Sequence, residues 1–218
     1  AHATGVAAGM TAPHAVARCP TLLIRTPQPA AEADARAALL AVSFTLAPAI
    51  EDTAPGVCTI DLKGTDPARH LPAAQAAIAQ LAALALPATA GLARTPLLAL
   101  YAARHAQLNR SRSRNLSRSL SGESSIDPTV EITRTIKITR TSDHESDHVL
   151  LISVTDESAF LAPLPLATAG PSPELAAIFA SWGLCTLGDF TALPRDEIVR
   201  RFGTEGLALW RRASGGEP

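Results

Sequence analysis

Apolar and polar positions along the first half of the chain switch repeatedly between a helical and a strand-like spacing. Residues 30–46 are alanine-rich with helical periodicity, and Glu32 and Asp34 stand in the first turn, where carboxylates complement the positive end of a helix dipole. Residues 57–62 form a short β-prone run entered through Pro55-Gly56 and left through Lys63-Gly64, which predicts a strand bounded by turns. Residues 67–86 predict a second long helix. Gly91-Leu92-Ala93 begins another short strand or turn, and Pro96 opens a helix running to about Gln107, at a position where the missing N–H removes no hydrogen bond. Helix and strand alternating in segments of these lengths predict a layered α/β unit in which helices cover a sheet.

The character changes at residue 109. From 109 to 125 serine and arginine dominate and neither period survives, which predicts a flexible loop. Val130, Ile132, Ile136 and Ile138 then alternate with polar residues, the mark of a half-buried strand, and residues 149–154 supply an antiparallel partner. A proline-rich connector at 161–173 leads into a helical module. Residues 174–182 form a helix ended by Gly183, and a short helix starts at Asp189. Another follows Pro194-Arg195-Asp196 and stops near Gly203, and a last one covers 205–213.

With 218 residues and 47% hydrophobic content the chain can bury one sizeable or two small cores. The longest apolar stretch, 78–90, is broken by Gln80 and Pro87 and is too short to span a bilayer, so no transmembrane helix is expected. The start, Ala1-His2-Ala3-Thr4-Gly5, lacks both an initiator Met and the layout of a secretion signal, which predicts a natural chain beginning earlier and no export. Cys19, Cys58 and Cys185 are far apart and odd in number, as suits reduced thiols in a cytoplasm better than a disulfide framework or a zinc site. A net charge of −1 does not advertise nucleic-acid binding, so any DNA contact must be local. The basic residues do cluster, around 104–118 and again at Arg195, Arg200, Arg201, Arg211 and Arg212.

Four separated motifs carry a resemblance. Gly5-Val6-Ala7-Ala8-Gly9-Met10, then Ala15 and Cys19-Pro20, looks like the finger segment of Y-family (DinB/UmuC-like) DNA polymerases. Residues 44–64, with Pro48, Ile50-Glu51 and Ile60-Asp61-Leu62-Lys63-Gly64, stand where that family has its palm strand. Gly91-Leu92-Ala93 with Thr95-Pro96 and Leu98-Ala99 is similar to the family's "Gly-Ile-Ala" strand and following helix, in a form closest to ImuB-type proteins. Residues 160–165 with Trp182-Gly183-Leu184-Cys185-Thr186-Leu187-Gly188-Asp189 and Phe202-Gly203 resemble the thumb, a helix-hairpin-helix module. The resemblance implies an α+β fold: a palm and fingers remnant, with a mixed sheet covered by helices, followed by an all-α thumb. It divides the chain into a fingers-like remnant (1–29), a palm-like region (30–108), a Ser/Arg-rich insertion with a β-hairpin (109–154) and a thumb-like module (155–218).

Physics supports a DNA-contacting thumb independently. In Gly183-x-x-Thr186-x-Gly188 the glycines permit a tight hairpin whose backbone N–H groups, at the start of the Asp189 helix, can point at a phosphate oxygen and position DNA without reading sequence. The competing reading makes Gly183 a helix C-cap and Thr186 a turn residue. Gly183, Leu184, Thr186 and Gly188 are the candidate DNA-binding positions, with Arg200 and Arg201 as electrostatic support.

A polymerase needs two metal ions held by carboxylates, which stabilise the attacking and leaving oxygens. The family's first palm strand, which carries one of these acids, is not in this chain. Aligned without gaps on Ile50-Glu51 and Ile60-Asp61, the sequence has Gly56 and Val57 where the family has its Asp-Glu pair, and neither can bind magnesium. Glu51, Asp52 and Asp61 are nearby, but recruiting one by a one-residue slip would also flip the strand's apolar face. His2 stands where active members carry an Arg for the triphosphate, and Pro96 and Leu100 where they carry Lys. These departures match ImuB-type proteins, and imply a non-catalytic accessory of damage-induced (SOS) mutagenesis with no cofactor. The implied partners are DNA, a RecA-like ImuA protein, an error-prone C-family polymerase and the sliding clamp, with no membrane. Two alternatives stand beside it: an active translesion polymerase using Mg2+, with acids partly outside this chain, and a protein-interaction scaffold. Of the remaining signals, Ser142-Asp143-His144-Glu145-Ser146-Asp147-His148 reads as a solvated turn rather than a metal site. Trp182 and Trp210 read as thumb core rather than base-stacking platforms. The arginines of 110–118 read either as a DNA-backbone track or as a disordered insertion.

Overall fold

The computed structural model describes residues 5–7, 9–120 and 150–216, with side chains up to residue 109 and from residue 150. The chain divides into two compact units, Ala1–Ala38 and Leu39–Pro218. In the first, Gly5 and Gly9 both take positive φ, and α1 (Ala12–Arg18) follows with Pro13 in its opening turn. Arg18 folds back to donate from its guanidinium to the Gly5 carbonyl at 3.0 Å. Helix α2 (Pro29–Phe44) carries the chain into the second unit.

There, β1 (Ile50–Ala54) and β2 (Val57–Ile60) form an antiparallel hairpin. The sequence shows only its second arm, because Glu51-Asp52 has little β propensity. Helix α3 (Pro67–Ala83) starts at Asp66, whose side chain accepts from the Ala68 N–H at 3.0 Å, and buries Ala74, Ala77, Ile78 and Leu81. Next, β3 (Ala90–Leu92) pairs with β4 (Leu151–Ser153), and the pairing is parallel. The long connection through α4 (Pro96–Leu120) makes this possible, since parallel strands need a crossover. The parallel pairing of β4 with β3 is one that the sequence did not suggest, and the antiparallel pairing expected between 149–154 and 130–138 involves residues outside those described. The alternating run at 130–138 lies outside the described residues, as does the His/acid cluster at 142–148.

Helix α4 packs on both β3 and β4, and Gly91 explains how closely. A Cβ at Gly91 would stand 2.1 Å from the Ala99 carbonyl oxygen and 2.7 Å from the Ala102 Cβ. The helix also corrects the flexible loop expected from residue 109, since it continues unbroken to Leu120. Arg and Leu are good helix formers, no Gly or Pro interrupts residues 97–120, and extending a nucleated helix is far easier than starting one.

The remaining elements are α5 (Glu157–Leu161), a 3-10 turn (Leu166–Ala169), α6 (Pro173–Ser181), α7 (Leu187–Thr191) and α8 (Arg195–Ala213). Helix α8 is broken at Gly203 (φ 57°, ψ −139°), which makes it two helices meeting at a kink, as its sequence predicts. Leu98, Tyr101 and Ala102 of α4 share one apolar core with Phe160, Phe179, Phe190 and Leu209. The Tyr101 hydroxyl donates to the Arg212 carbonyl at 3.1 Å and the Thr95 hydroxyl to the Gly215 carbonyl at 2.6 Å, so the end of α8 is fastened to the start of α4. No described helix is long and apolar enough to cross a membrane.

Candidate nucleic-acid interface

Two places bear on function, the β1–β2 hairpin and the α6–α7–α8 module. In the hairpin, Ala54 and Val57 are paired across Pro55-Gly56, and Gly56 takes φ 74°, the left-handed conformation a tight turn asks of glycine. The register pairs Ile50 with Ile60, Glu51 with Thr59 and Asp52 with Cys58. Strand alternation therefore puts Asp52 on the half-buried face with Ile50, Cys58 and Ile60, and Glu51 on the opposite face beside Thr53 and Thr59. The two threonine hydroxyls bond each other at 2.6 Å. Asp61 turns its carboxylate to the Lys63 N–H at 2.9 Å, closing the exit turn.

The carboxylates near this hairpin thus diverge. Among the described residues, no group of three or more His, Cys, Asp or Glu side chains could hold a metal ion. At this hairpin the described carboxylates are not gathered as a two-metal centre requires, and the turn residues Gly56 and Val57 have no oxygen ligand in their side chains.

In the helical module, Ser172 caps α6 by accepting from the Leu175 N–H at 3.3 Å. The helix closes with paired bonds from the Gly183 N–H to Ala180 (3.1 Å) and from the Leu184 N–H to Phe179 (3.0 Å), with Gly183 at φ 75°. This is a Schellman ending. Thr186 and Asp189 then build a capping box at the start of α7. The Asp189 carboxylate accepts from the N–H groups of Thr186 (3.0 Å) and Cys185 (3.2 Å), while the Asp189 N–H donates to the Thr186 hydroxyl at 3.1 Å. Hydrogen bonds from the Thr186 side chain first, and then from the two backbone N–H groups, hold the exposed Asp189 carboxyl below the usual carboxylate range. The Leu187 and Gly188 N–H groups donate to Leu164 (2.8 Å) and Ala162 (3.2 Å).

Every backbone N–H from Gly183 to Asp189 therefore has a partner inside the protein, whereas the sequence suggested that those of the hairpin point outward. Gly183 ends a helix, as the competing reading held, and an added Cβ there would meet open space. Gly188 is glycine for close packing, because a Cβ would come within 2.9 Å of the Ala162 carbonyl oxygen. Leu184 packs against the core.

The structure does bring α8 to this turn. The Arg201 guanidinium lies 5.8 Å from the centroid of the Trp182 ring, next to Gly183. Arg200 and Arg201 are well exposed and share one carboxylate, that of Glu197, at 2.6 Å and 3.5 Å. One acid thus offsets part of their charge. Trp182 is 47% exposed, at the rim of a cluster with Phe179 and Phe202, which corrects the expectation that it lies in the core. Trp210 is partly buried against that core, as expected. The Asp189 cap was missed, although the spacing Thr186-x-x-Asp189 is a signal for it.

The impB/mucB/samB family (IMS) matches residues 1–104, the stretch from the first glycines into α4. DinB from Sulfolobus solfataricus superposes on the whole chain with a TM-score of 0.63 at 18% identity. The chain has a fold like that of DinB, and somewhat under half of it, residues 1–104, matches the impB/mucB/samB family. A second structure of similar fold, a Dbh ternary complex whose substrates are partially disordered, also matches 100% of the chain, at TM-score 0.63 and 16% identity. The chain spans 55% of the first of these structures and 56% of the second. No curated protein matches its sequence. The mixed α+β fold expected from the four motifs is the fold observed.

Proposed function

We propose that this chain is a non-catalytic, ImuB-like relative of Y-family polymerases that serves translesion synthesis by holding DNA through its backbone, without sequence preference. The observation carrying this reading is the β1–β2 turn. Gly56 and Val57 occupy the positions that align with the family's acidic pair, and Glu51 and Asp52 lie on opposite strand faces. Without convergent carboxylates, metal-assisted phosphoryl transfer has no ligands at this hairpin.

The helix-hairpin-helix module is the DNA-holding part. Its inner N–H groups are committed to the fold, so contact falls to the outer surface of the Gly183 turn and to Arg200 and Arg201 beside it, with Thr186 and Gly188 keeping the hairpin's shape. An accessory of this type works with a RecA-like ImuA protein, an error-prone C-family polymerase and the sliding clamp in the cytoplasm.

The test is primer extension and primer-template binding with the intact protein in magnesium. The expected result is salt-sensitive binding with no nucleotide incorporation, and binding weakened by Arg200→Gln with Arg201→Gln. Template-dependent incorporation would overturn the non-catalytic reading. Absence of DNA binding alongside capture of partner proteins would replace it with a scaffold.

A further inference from the structure

We infer that the exposed Trp182 ring is a stacking surface for an unpaired base, so that the α6–α8 module gains on single-stranded DNA a contact that continuous duplex does not offer. The inference rests on the DNA-binding reading proposed above and names the form of DNA that this surface favours.

The module keeps its other rings covered. Phe160, Phe179 and Phe190 are buried and Phe202 is half-buried, whereas Trp182 leaves 47% of its surface to solvent. The indole is nonetheless held in place. Its ring meets Phe179 at 5.9 Å and an interplanar angle of 68°, and Phe202 at 5.7 Å and 50°. An exposed indole braced by two other rings is a rigid flat surface, which a second aromatic group can cover at little cost in side-chain entropy.

The surroundings are open and positively charged. Trp182 and Phe202 are each followed by a glycine, and a Cβ added at Gly183 or Gly203 would meet nothing within 4 Å. The Arg201 guanidinium lies 5.8 Å from the centroid of the Trp182 ring. It shares the Glu197 carboxylate with Arg200, so two cations stand against one anion beside the ring.

A nucleotide offers the matching pair, a flat π-face for the indole and a phosphate for the guanidinium. On binding, Arg201 exchanges the ring for the phosphate and the base takes the ring. The exchange is favourable, because an exposed cation–π contact is worth about a two- to fivefold factor in affinity and a stacked base about five- to 150-fold. Bases inside a duplex are stacked on one another and present no free face, so the ring distinguishes single strands while remaining tolerant of sequence. An acidic peptide also complements the arginines, but it makes no use of the flat ring.

The test measures binding of the full chain to an oligo-dT single strand and to a relaxed circular duplex, which has no terminal base pair, across a salt series. Trp182→Leu keeps apolar cover on the cluster but removes the π-face, and Trp182→Phe keeps a ring. Trp182→Leu should weaken single-strand binding by about fivefold or more, with the salt slope unchanged because the arginine–phosphate contacts remain. Duplex affinity should not move, and Trp182→Phe should restore most of the single-strand loss. Circular dichroism checks the fold of Trp182→Leu. Should that variant unfold, the unsubstituted protein decides: saturating oligo-dT should quench its tryptophan fluorescence, and Trp182→Phe should remove the quench. Equal weakening on both DNA forms in a folded Trp182→Leu, an unchanged single-strand affinity, or no quench on bound oligo-dT overturns this inference and leaves the proposed function standing. Binding of a polyglutamate peptide that is lost in Trp182→Leu while DNA affinity is unchanged also overturns it. Failure of the unsubstituted protein to bind either DNA sinks both readings.

Discussion

Thr186 and Asp189 exchange hydrogen bonds across the first turn of α7, the carboxylate accepting at 3.0 Å and the hydroxyl at 3.1 Å. The arrangement lowers the Asp189 pKa in the folded state relative to an unfolded chain. A group depressed in this way contributes stability above its unfolded pKa and loses it as pH falls through the folded one. The Asp189→Asn variant should therefore be less stable than the parent at neutral pH, and the gap should close in acid, below the ordinary carboxylate range. Urea denaturation at a series of pH values measures it. A gap independent of pH would mean that the charge on Asp189 contributes nothing.

Gly91 gives a second prediction. Its missing side chain lets β3 lie against the α4 backbone, and the Ala99 oxygen and Ala103 nitrogen that a Cβ would strike are main-chain atoms unable to swing aside. Gly91→Ala should cost about 1–3 kcal/mol, the range for overpacking a filled interior. The midpoint of urea unfolding tests this, and a parental midpoint would show that the strand and helix can separate freely.

How far the sequence reveals these features depends on whether the cause is local. Helices with strong starts, such as α3 behind Asp66-Pro67 and α6 behind Ser172-Pro173, were legible because their caps and periodicity lie within the segment itself. The parallel pairing of Leu151–Ser153 with Ala90–Leu92 was not, because a crossover of nearly sixty residues separates the partners and no local pattern encodes it. The extension of α4 past Gln107 was hidden for a different reason. A run of Arg and Ser has no apolar period, yet it continues a helix nucleated elsewhere. At the candidate site, the turn residues Gly56 and Val57 could be placed by alignment. The bonds from the Leu187 and Gly188 N–H groups go to Leu164 and Ala162, more than twenty residues away, and could not, whereas the other N–H groups of Gly183–Asp189 bond locally.

Tyr101 is 2% exposed, and its hydroxyl reaches the Arg212 carbonyl, while the Arg212 guanidinium bonds the Ala169 carbonyl at 2.7 Å. Removing the hydroxyl alone leaves the ring packing intact. Tyr101→Phe should destabilise by about 1 kcal/mol, the net worth of one such bond plus a carbonyl left to find water. Hydrogen exchange supplies the sharper readout. Amides at the end of α8 should lose protection before those of α3, and equal losses in both would argue that the bond does not specifically fasten α8 to α4.

The aromatic cluster under the Gly183 turn allows a ranking. Phe179 is fully buried, with ring centroids of Phe190, Phe202 and Trp182 at 4.9, 5.2 and 5.9 Å, so its removal opens a cavity among all three. Phe179→Ala should cost about 3–5 kcal/mol. Trp182 belongs to the same cluster but remains 47% exposed, so truncating it removes less apolar surface from cover and leaves no enclosed void. Trp182→Ala should therefore cost clearly less than Phe179→Ala while freeing Arg201 from the ring it now overlies. Thermal unfolding of both variants decides the order. The reverse ranking would mean that Trp182 is the keystone of the module, and that the turn beside it depends on the indole rather than on the Phe179 core.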